Sequence, residues 1–416
     1  MEALTIADLR VNGERLWDSL MEIARFGATA KGGNCRLALS EEDKAGRDCY
    51  VAWCREAGCD VTIDRMGNIF TRRPGRDGDR APVVAGSHLD TQPHGGKFDG
   101  VFGVLAGLDV IRTLNDHGIE TSSPVEVAMW TNEEGVRFSP AMIASGVFAG
   151  AFDLDYALER TDADGVTMGD ALDRIGYAGD MPCGGRSFGA FFEAHIEQGP
   201  ILEKEGKTIG VVTGAQGIRW CDITVAGQDA HAGPTPMKLR HDALVGVASM
   251  ITAINRIGHA FPPNGVATVG QIEVSPNSRN TIPGEAHFTV DMRHPDAAEL
   301  GRMNERLQAE IGEIARDAGV VADVEEIWYG PPVEFDADCV RAVREAAKSL
   351  GYAHRDMVSG AGHDACYISR IAPTAMIFIP CRGGISHNEE ESAEPDDLAA
   401  GCNVLLHAIL ARAGQP

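Results

Sequence analysis

No C-x-x-C pair occurs anywhere in the 416 residues, and the ten cysteines, at positions 35, 49, 54, 59, 183, 221, 339, 366, 381 and 402, are too scattered for a disulfide-stapled scaffold. They read as reduced, mostly buried thiols, so stability must come from apolar burial, which a chain of this length supplies without cross-links. No apolar run approaches the roughly 18 residues of a membrane span. The first segment, Met1 to Phe26, carries Asp8, Arg10, Glu14, Arg15, Asp18 and Glu22 among its apolar residues. It lacks a signal-peptide apolar core and reads as an amphipathic helix, which leads to the expectation of a cytoplasmic protein. Positive charge is also scarce. Against 61 Asp and Glu stand 37 Lys and Arg, a formal net charge of −24 that repels phosphate backbones and anionic membrane surfaces. Neither nucleic acid nor membrane is an expected partner, and with no repeat or low-complexity run a globular enzyme or binding protein remains.

What is present is an alternation of strands and helices. Ser40 followed by Glu41, Glu42 and Asp43 opens a helix of the capping-box kind running to about Gly58. Residues 60–64 and 68–72 form a strand pair turned at Met66-Gly67. Strands at 82–86 and 125–130 flank a helix at 101–114, an α/β pattern, and both strands run into ionisable clusters, where open α/β sheets place their ligands. From Gly214 the order becomes strand 221–225, helix 243–257, strand 266–274, strand 286–293, helix 297–318 and strand 321–327. That β-α-β-β-α-β order is a split βαβ sandwich, complete in itself and inserted into the first sheet. Helix 337–350, strand 375–379 and helix 395–412 complete that sheet. The expected boundaries are 1–213 and 331–416 for the two parts of the first domain and 214–330 for the insert.

Five segments concentrate His, Asp and Glu at strand ends or loops. In Gly86-Ser87-His88-Leu89-Asp90-Thr91, His88 and Asp90 point the same way on an extended segment, so the carboxylate can take the second imidazole N–H and aim the ring at a metal. Asp99, between Phe98 and Gly100, has room beside it for a closely bridged ion. Glu133 and Glu134 aim adjacent carboxylates at one cleft, so that one can bind metal while the other handles protons. Glu193, His195 and Glu197 share one face of a strand, and Ser386-His387-Asn388-Glu389 adds a distant histidine. Glu389, Glu390 and Glu391 read as a solvated run. Mixed imidazole and carboxylate donors suit a pair of divalent ions such as zinc, manganese, cobalt or nickel, and the lack of cysteine in these segments argues against structural zinc.

Taken in order, Gly86 to Thr91, Gly95-Gly96-Lys97-Phe98-Asp99-Gly100, Thr131-Asn132-Glu133-Glu134-Gly135, Glu193 to Pro200 and Ser386 to Glu389 resemble the hydantoinase/carbamoylase-type amidases of the zinc aminoacylase and carboxypeptidase superfamily. The likeness covers essentially the whole chain. It implies an α/β di-metal aminopeptidase-like catalytic domain with an inserted ferredoxin-like lid and dimerisation domain, and two divalent metal ions per subunit. His88, Asp99 and His195 would hold one ion and Asp99, Glu134 and His387 the other, with Glu133 as general base and Asp90 as the orienting carboxylate. In the insert, His231, Asn280 and Arg293 fall at substrate-binding positions of the family, as do Gln198 and the Ser359-Gly360-Ala361-Gly362-His363-Asp364 turn. The matching histidine of the family reaches the neighbouring subunit's site, which implies a homodimer through the insert. The implied activity is hydrolysis of a small ureido substrate, an N-carbamoyl-L-amino acid or N-carbamoyl-β-alanine, with allantoate as the alternative. A histidine at 195, where related peptidases carry an acidic ligand, places a dipeptidase or aminoacylase further off, and Glu133 argues against an inactive metal-binding scaffold.

Overall fold

The computed structural model describes residues 6–414. The chain divides into two compact units, one formed by the chain up to Gly214 together with the segment from Glu334 onward, the other by Ala215–Val333.

In the first unit the described residues form a nine-stranded mixed sheet. Its order is Asp60–Ile63, Ile69–Arg73, Val125–Trp130, Val83–His88, Ala190–Ile196, Thr374–Ile379, Ile209–Ala215 and Val333–Glu334, with His354–Ser359 also on Ile209–Ala215. The four central strands, Val125–Trp130, Val83–His88, Ala190–Ile196 and Thr374–Ile379, are mutually parallel, and every one of their residues is buried. Continuous burial is what a parallel sheet covered on both faces requires. Helices Val101–Asp116 and Pro395–Ala413 pack on these strands and on each other, with Gly13–Ile23 against both. Two buried arginines tie the surrounding loops to the strand ends. Arg36 donates to the carbonyls of Leu89, Ile23 and Phe26, and its burial pushes the guanidinium down to about 10. Arg47 bridges Asp43, the Gly67 carbonyl and the Thr131 hydroxyl. Each buried acceptor stranded by losing such a partner costs about 1–3 kcal/mol, so these ties fix the segments beside His88 and Glu133 firmly.

In the second unit a five-stranded antiparallel sheet has the order Ile272–Ser275, Glu285–His294, Gly217–Ala226 and Val321–Gly330, with Val266–Thr268 also on Glu285–His294. Alternate residues of the long strands, among them Ile223, Val225, Phe288 and Val290, form a core with Val247, Met250 and Ile254 of helix Ala243–Ala260 and Leu300, Met303 and Leu307 of helix Ala297–Ala318. The strand expected at 266–274 is two strands here. Thr268 pairs with Asp291 and Ile272 with Phe288, a one-residue slip centred on Gly270, where a residue without a side chain accommodates the bulge. The expected N-terminal helix also differs. Its described part is a short turn at Ile6–Asp8 and a helix confined to Gly13–Ile23, because the Asn12 side chain accepts the Arg15 N–H and caps it there. Met1 to Thr5 lie outside the described residues. No helix among the described residues is long and apolar enough to cross a membrane.

Candidate metal centre

The carboxyl ends of the central parallel strands converge on one site. His88 ends its strand opposite Trp130, Glu133 and Glu134 follow Trp130 by three and four residues, and His195 pairs with Phe378 on the strand that leads to His387. Asp99 arrives from the loop before helix Val101–Asp116. Gly100, at φ 66°, makes this approach possible, since a Cβ there would lie 2.3 Å from the His88 ring.

Ligand atoms of His88, Asp99 and His195 lie within 4.8 Å of one another, as do those of Asp99, Glu134 and His387. The two carboxylate oxygens of Asp99 divide between the groups. Its Oδ1 is 3.6 Å from His88 Nε2 and 3.1 Å from His195 Nε2, whereas its Oδ2 is 3.4 Å from His387 Nε2. His387 Nε2 is also 3.5 Å from Glu134 Oε2. Most of these spacings are too long for good hydrogen bonds but match the edges of a tetrahedron with bonds of roughly 2.0–2.2 Å. Glu133 stands outside both groups, its Oε2 3.5 Å from His88 Nε2.

The charges are arranged for a cation. Burial, reinforced by Asp364, Glu134, Asp90 and Asp99 around Glu133 and by Asp99 and Asp90 around Glu134, holds both glutamates well above the usual carboxylate range. Burial lowers His88 to about 4. For His195 burial works against the charge, but the Asp99 hydrogen bond and the charges of Asp99 and Glu193 outweigh it and lift the ring to about 9. Among the described residues, Glu134 Oε1 and Gln198 Oε1 are buried without a hydrogen-bond partner. Crowded carboxylates and stranded acceptors are what bound dications would relieve, so the residues present fit such ions.

The profile of Peptidase family M20/M25/M40 matches residues 84–411. The chain belongs to that family. It is 52% identical over 401 residues to an N-carbamoyl-L-amino-acid amidohydrolase of Rhizobium meliloti, a match spanning 96% of each chain. To an N-carbamoyl-L-amino-acid amidohydrolase of Paenarthrobacter aurescens it is 40% identical over 407 residues, 97% of this chain and 98% of that one. Among solved structures it resembles an amidase of the hydantoinase/carbamoylase family from Burkholderia multivorans, 62% identical with a TM-score of 0.95, covering 98% of this chain and 99% of that one. Family M20/M25/M40 is metal-dependent, in keeping with these donor clusters and a third of Glu193, His195 and His363.

The groups around the donors depart in part from expectation for this M20/M25/M40 member. His88 donates its Nδ1–H to the main-chain oxygen of Asp90 (2.8 Å), not to its carboxylate. The Asp90 carboxylate instead accepts the backbone N–H groups of Glu133 (3.3 Å) and Glu134 (3.2 Å); the strand ends at His88, so Asp90 no longer has to share a strand face with it. Glu197 does not share the strand face of Glu193 and His195. The strand stops at Ile196, and Glu197 caps the following turn by accepting from Ile201 and Leu202. Glu193 is buried and accepts from the Ser87 hydroxyl and the Ala365 N–H, while His195 donates its Nδ1–H to the Ile196 carbonyl and so keeps Nε2 toward Asp99.

Gln198, at φ 57°, donates to Asp99 Oδ2 (2.8 Å), and Gly360 stands exposed where an added Cβ would meet no atom within 4 Å. Two further neighbours escape a reading of sequence. Gln92 donates to Glu134 Oε2 (2.7 Å). Glu391, expected in a solvated run, is only 5% exposed and accepts the N–H groups of Phe98 and Asp99. The glycine pair Gly95-Gly96 was the available signal for Glu391, since its carboxylate fills the space a side chain at 96 would take.

His231, Asn280 and Arg293 belong to the second unit. His231 and Asn280 are neighbours there, on a two-stranded ribbon in which Ala230–His231 pairs with Thr281–Ile282 and the Asn280 carbonyl accepts the Ala232 N–H. His231 Nδ1 accepts the Gly233 N–H (3.1 Å), which puts the ring proton on Nε2. Arg293 projects from the sheet face away from the helical core, its guanidinium oriented by both oxygens of Asp291.

Proposed function

We propose that this chain hydrolyses N-carbamoyl amino acids, of the L-α or β-alanine kind, to the amino acid, ammonia and carbon dioxide. Two divalent ions would be held by His88, Asp99 and His195 and by Asp99, Glu134 and His387. The observation that carries this reading is Asp99, whose two oxygens face separate donor groups while Glu133 stands beside them uncommitted to either. Zinc or manganese suits this donor set, as do cobalt and nickel. When bound, such ions polarise the substrate carbonyl and make a water more acidic.

Glu133 takes a proton from the attacking water and delivers it to the leaving nitrogen as the C–N bond breaks. One water is consumed, and the carbamate that remains after the first cleavage loses carbon dioxide. Asp90 steadies the Glu133-Glu134 turn through its two backbone N–H contacts. Gln198 and the Gly360 turn border the substrate in the first unit; in the second, Arg293 carries the paired N–H donors that suit a carboxylate, and His231 and Asn280 carry donors that suit a ureido oxygen as charge develops on it.

The sheet order of the second unit, Val321–Gly330, Gly217–Ala226, Glu285–His294 and then the interrupted strand at 266–275, supports reading it as a ferredoxin-like lid spanning 214–330, inserted between catalytic segments 1–213 and 331–416. On its open sheet face Trp220 and Trp328, 5.2 Å apart, remain 44% and 41% exposed, and Ile327 50%. This face also carries Arg293, whose partner Asp291 accepts the Trp220 N–H; homodimerisation through this unit, with His231 serving the partner's site, follows the family resemblance. Co-expression of His231→Ala with Glu133→Gln subunits should then regain ammonia release that neither variant shows alone. Two inactive variants that stay inactive when combined would remove His231 from the neighbouring site.

The direct test is hydrolysis by manganese- or zinc-loaded protein, read as ammonia from N-carbamoyl-L-amino acids, N-carbamoyl-β-alanine and allantoate and as free amino acid from a dipeptide, each with a chelated control. Metal-dependent release from a carbamoyl amino acid is expected. Release from allantoate alone would move the substrate to a compound with two ureido groups, and cleavage of the dipeptide alone would refute the reading.

A further inference from the structure

Three successive glutamates follow the His387 loop, and only the third is drawn inside. Glu390 is exposed, Glu389 is half-buried beside Lys31, and Glu391 is 5% exposed. Glu391 Oε1 accepts the backbone N–H groups of Phe98 (3.0 Å) and Asp99 (3.1 Å). Its Oε2 lies 3.1 Å from the Ser386 hydroxyl, which is also 3.0 Å from Asp99 Oδ2. One carboxylate therefore holds the Asp99 backbone directly and shares with Asp99 Oδ2 the single proton of the Ser386 hydroxyl, on the residue before His387. The cradle is matched to it. A Cβ at Gly96 would fall 2.0 Å from Glu391 Oε1, so the carboxylate occupies space that only a glycine leaves. Gln198 also reaches across, from Asp99 Oδ2 to the Ser386 hydroxyl, but among the described side chains Glu391 is the one that holds the Asp99 backbone N–H as well.

We propose that Glu391 is a positioning residue for the metal centre, clipping the Asp99 loop to the His387 loop so that both donors face the ions before these bind. The proposal rests on the two-ion reading above. A bridging carboxylate must present its two oxygens in two fixed directions, and its own backbone N–H is the nearest handle on that orientation. Partners of this outer kind orient the donors and are worth about 10- to 100-fold in metal affinity or activity.

The test compares wild type, Glu391→Ala, Glu391→Gln, Gly96→Ala and the exposed control Glu390→Ala as full-length, chelator-stripped protein. Mn2+ stoichiometry and dissociation constants are read by calorimetry, and KM and kcat at saturating Mn2+. Glu391→Ala and Gly96→Ala should weaken Mn2+ binding by about 10- to 100-fold, with KM unchanged once metal is saturating. Glu391→Gln, which keeps an acceptor for the two N–H groups and a donor for Ser386, should restore most of the affinity. A role confined to loop stability would lower the melting temperature of metal-free protein and leave the affinity of the folded protein as it was. Wild-type affinity in folded Glu391→Ala, or in Gly96→Ala and Glu391→Gln should the alanine variant not fold, overturns the proposal alone. Wild type that binds no divalent ion overturns it together with the two-ion reading.

Discussion

Glu133→Gln is expected to keep its metal content and substrate affinity while ammonia release falls by about 10^2- to 10^4-fold, the usual share of a general acid–base. The substitution preserves shape and removes only the ability to take and return a proton. The effect should be this selective because Glu133 lies outside both donor groups, 3.5 Å from His88, and its backbone is fixed independently through the Asp90 carboxylate. Its surroundings also suit it to the task. Burial and the neighbouring carboxylates raise its proton affinity well above that of an ordinary glutamate, and cations beside it would lower it again. Metal analysis, KM and kcat on the same preparation decide the matter. A fully active Glu133→Gln enzyme would move proton transfer to another group, and loss of the metal would make Glu133 a ligand.

Stripping the ions should abolish turnover, and adding Mn2+ or Zn2+ back should restore it. Because bound ions stabilise only the folded state, the metal-free protein should also melt earlier, by about 4 kcal/mol of stability if free metal stands at 1,000 times its dissociation constant. The division of donors gives this experiment a sharper form. Asp99→Ala removes an oxygen from each group and should lose both ions, whereas His387→Ala disturbs only the group it shares with Glu134 and should leave the other ion in place. Elemental analysis after gel filtration distinguishes the two. Equal stoichiometry in both variants would contradict a bridging Asp99.

Much of the local architecture follows from sequence because local conformation is set by neighbours along the chain. The apolar strand Val125–Trp130 has the bounds its pattern predicts, and helix Ala297–Ala318 likewise, stopped by Gly319 in the left-handed region. Ser40 caps its helix through the Asp43 N–H as the capping pattern requires. The residue types of the centre were legible too, since imidazoles and carboxylates at the ends of apolar strands are a costly arrangement without a chemical use. A bulge such as that at Gly270 is less legible, because it depends on the pairing partner and not on the strand's own residues.

By itself, then, the sequence determined which residues could hold ions and which of them follow strand ends or lie in loops. Only the tertiary structure decided how the remaining carboxylates are used. Asp90 holds the Glu133-Glu134 turn, Glu197 caps a helical turn, and Glu391 is buried against Asp99 although its neighbour Glu390 faces solvent. The physical reason is that a carboxylate's role is set by the donors that meet it. For Glu391 those donors lie some 290 residues away in the chain, where no periodicity or spacing records them.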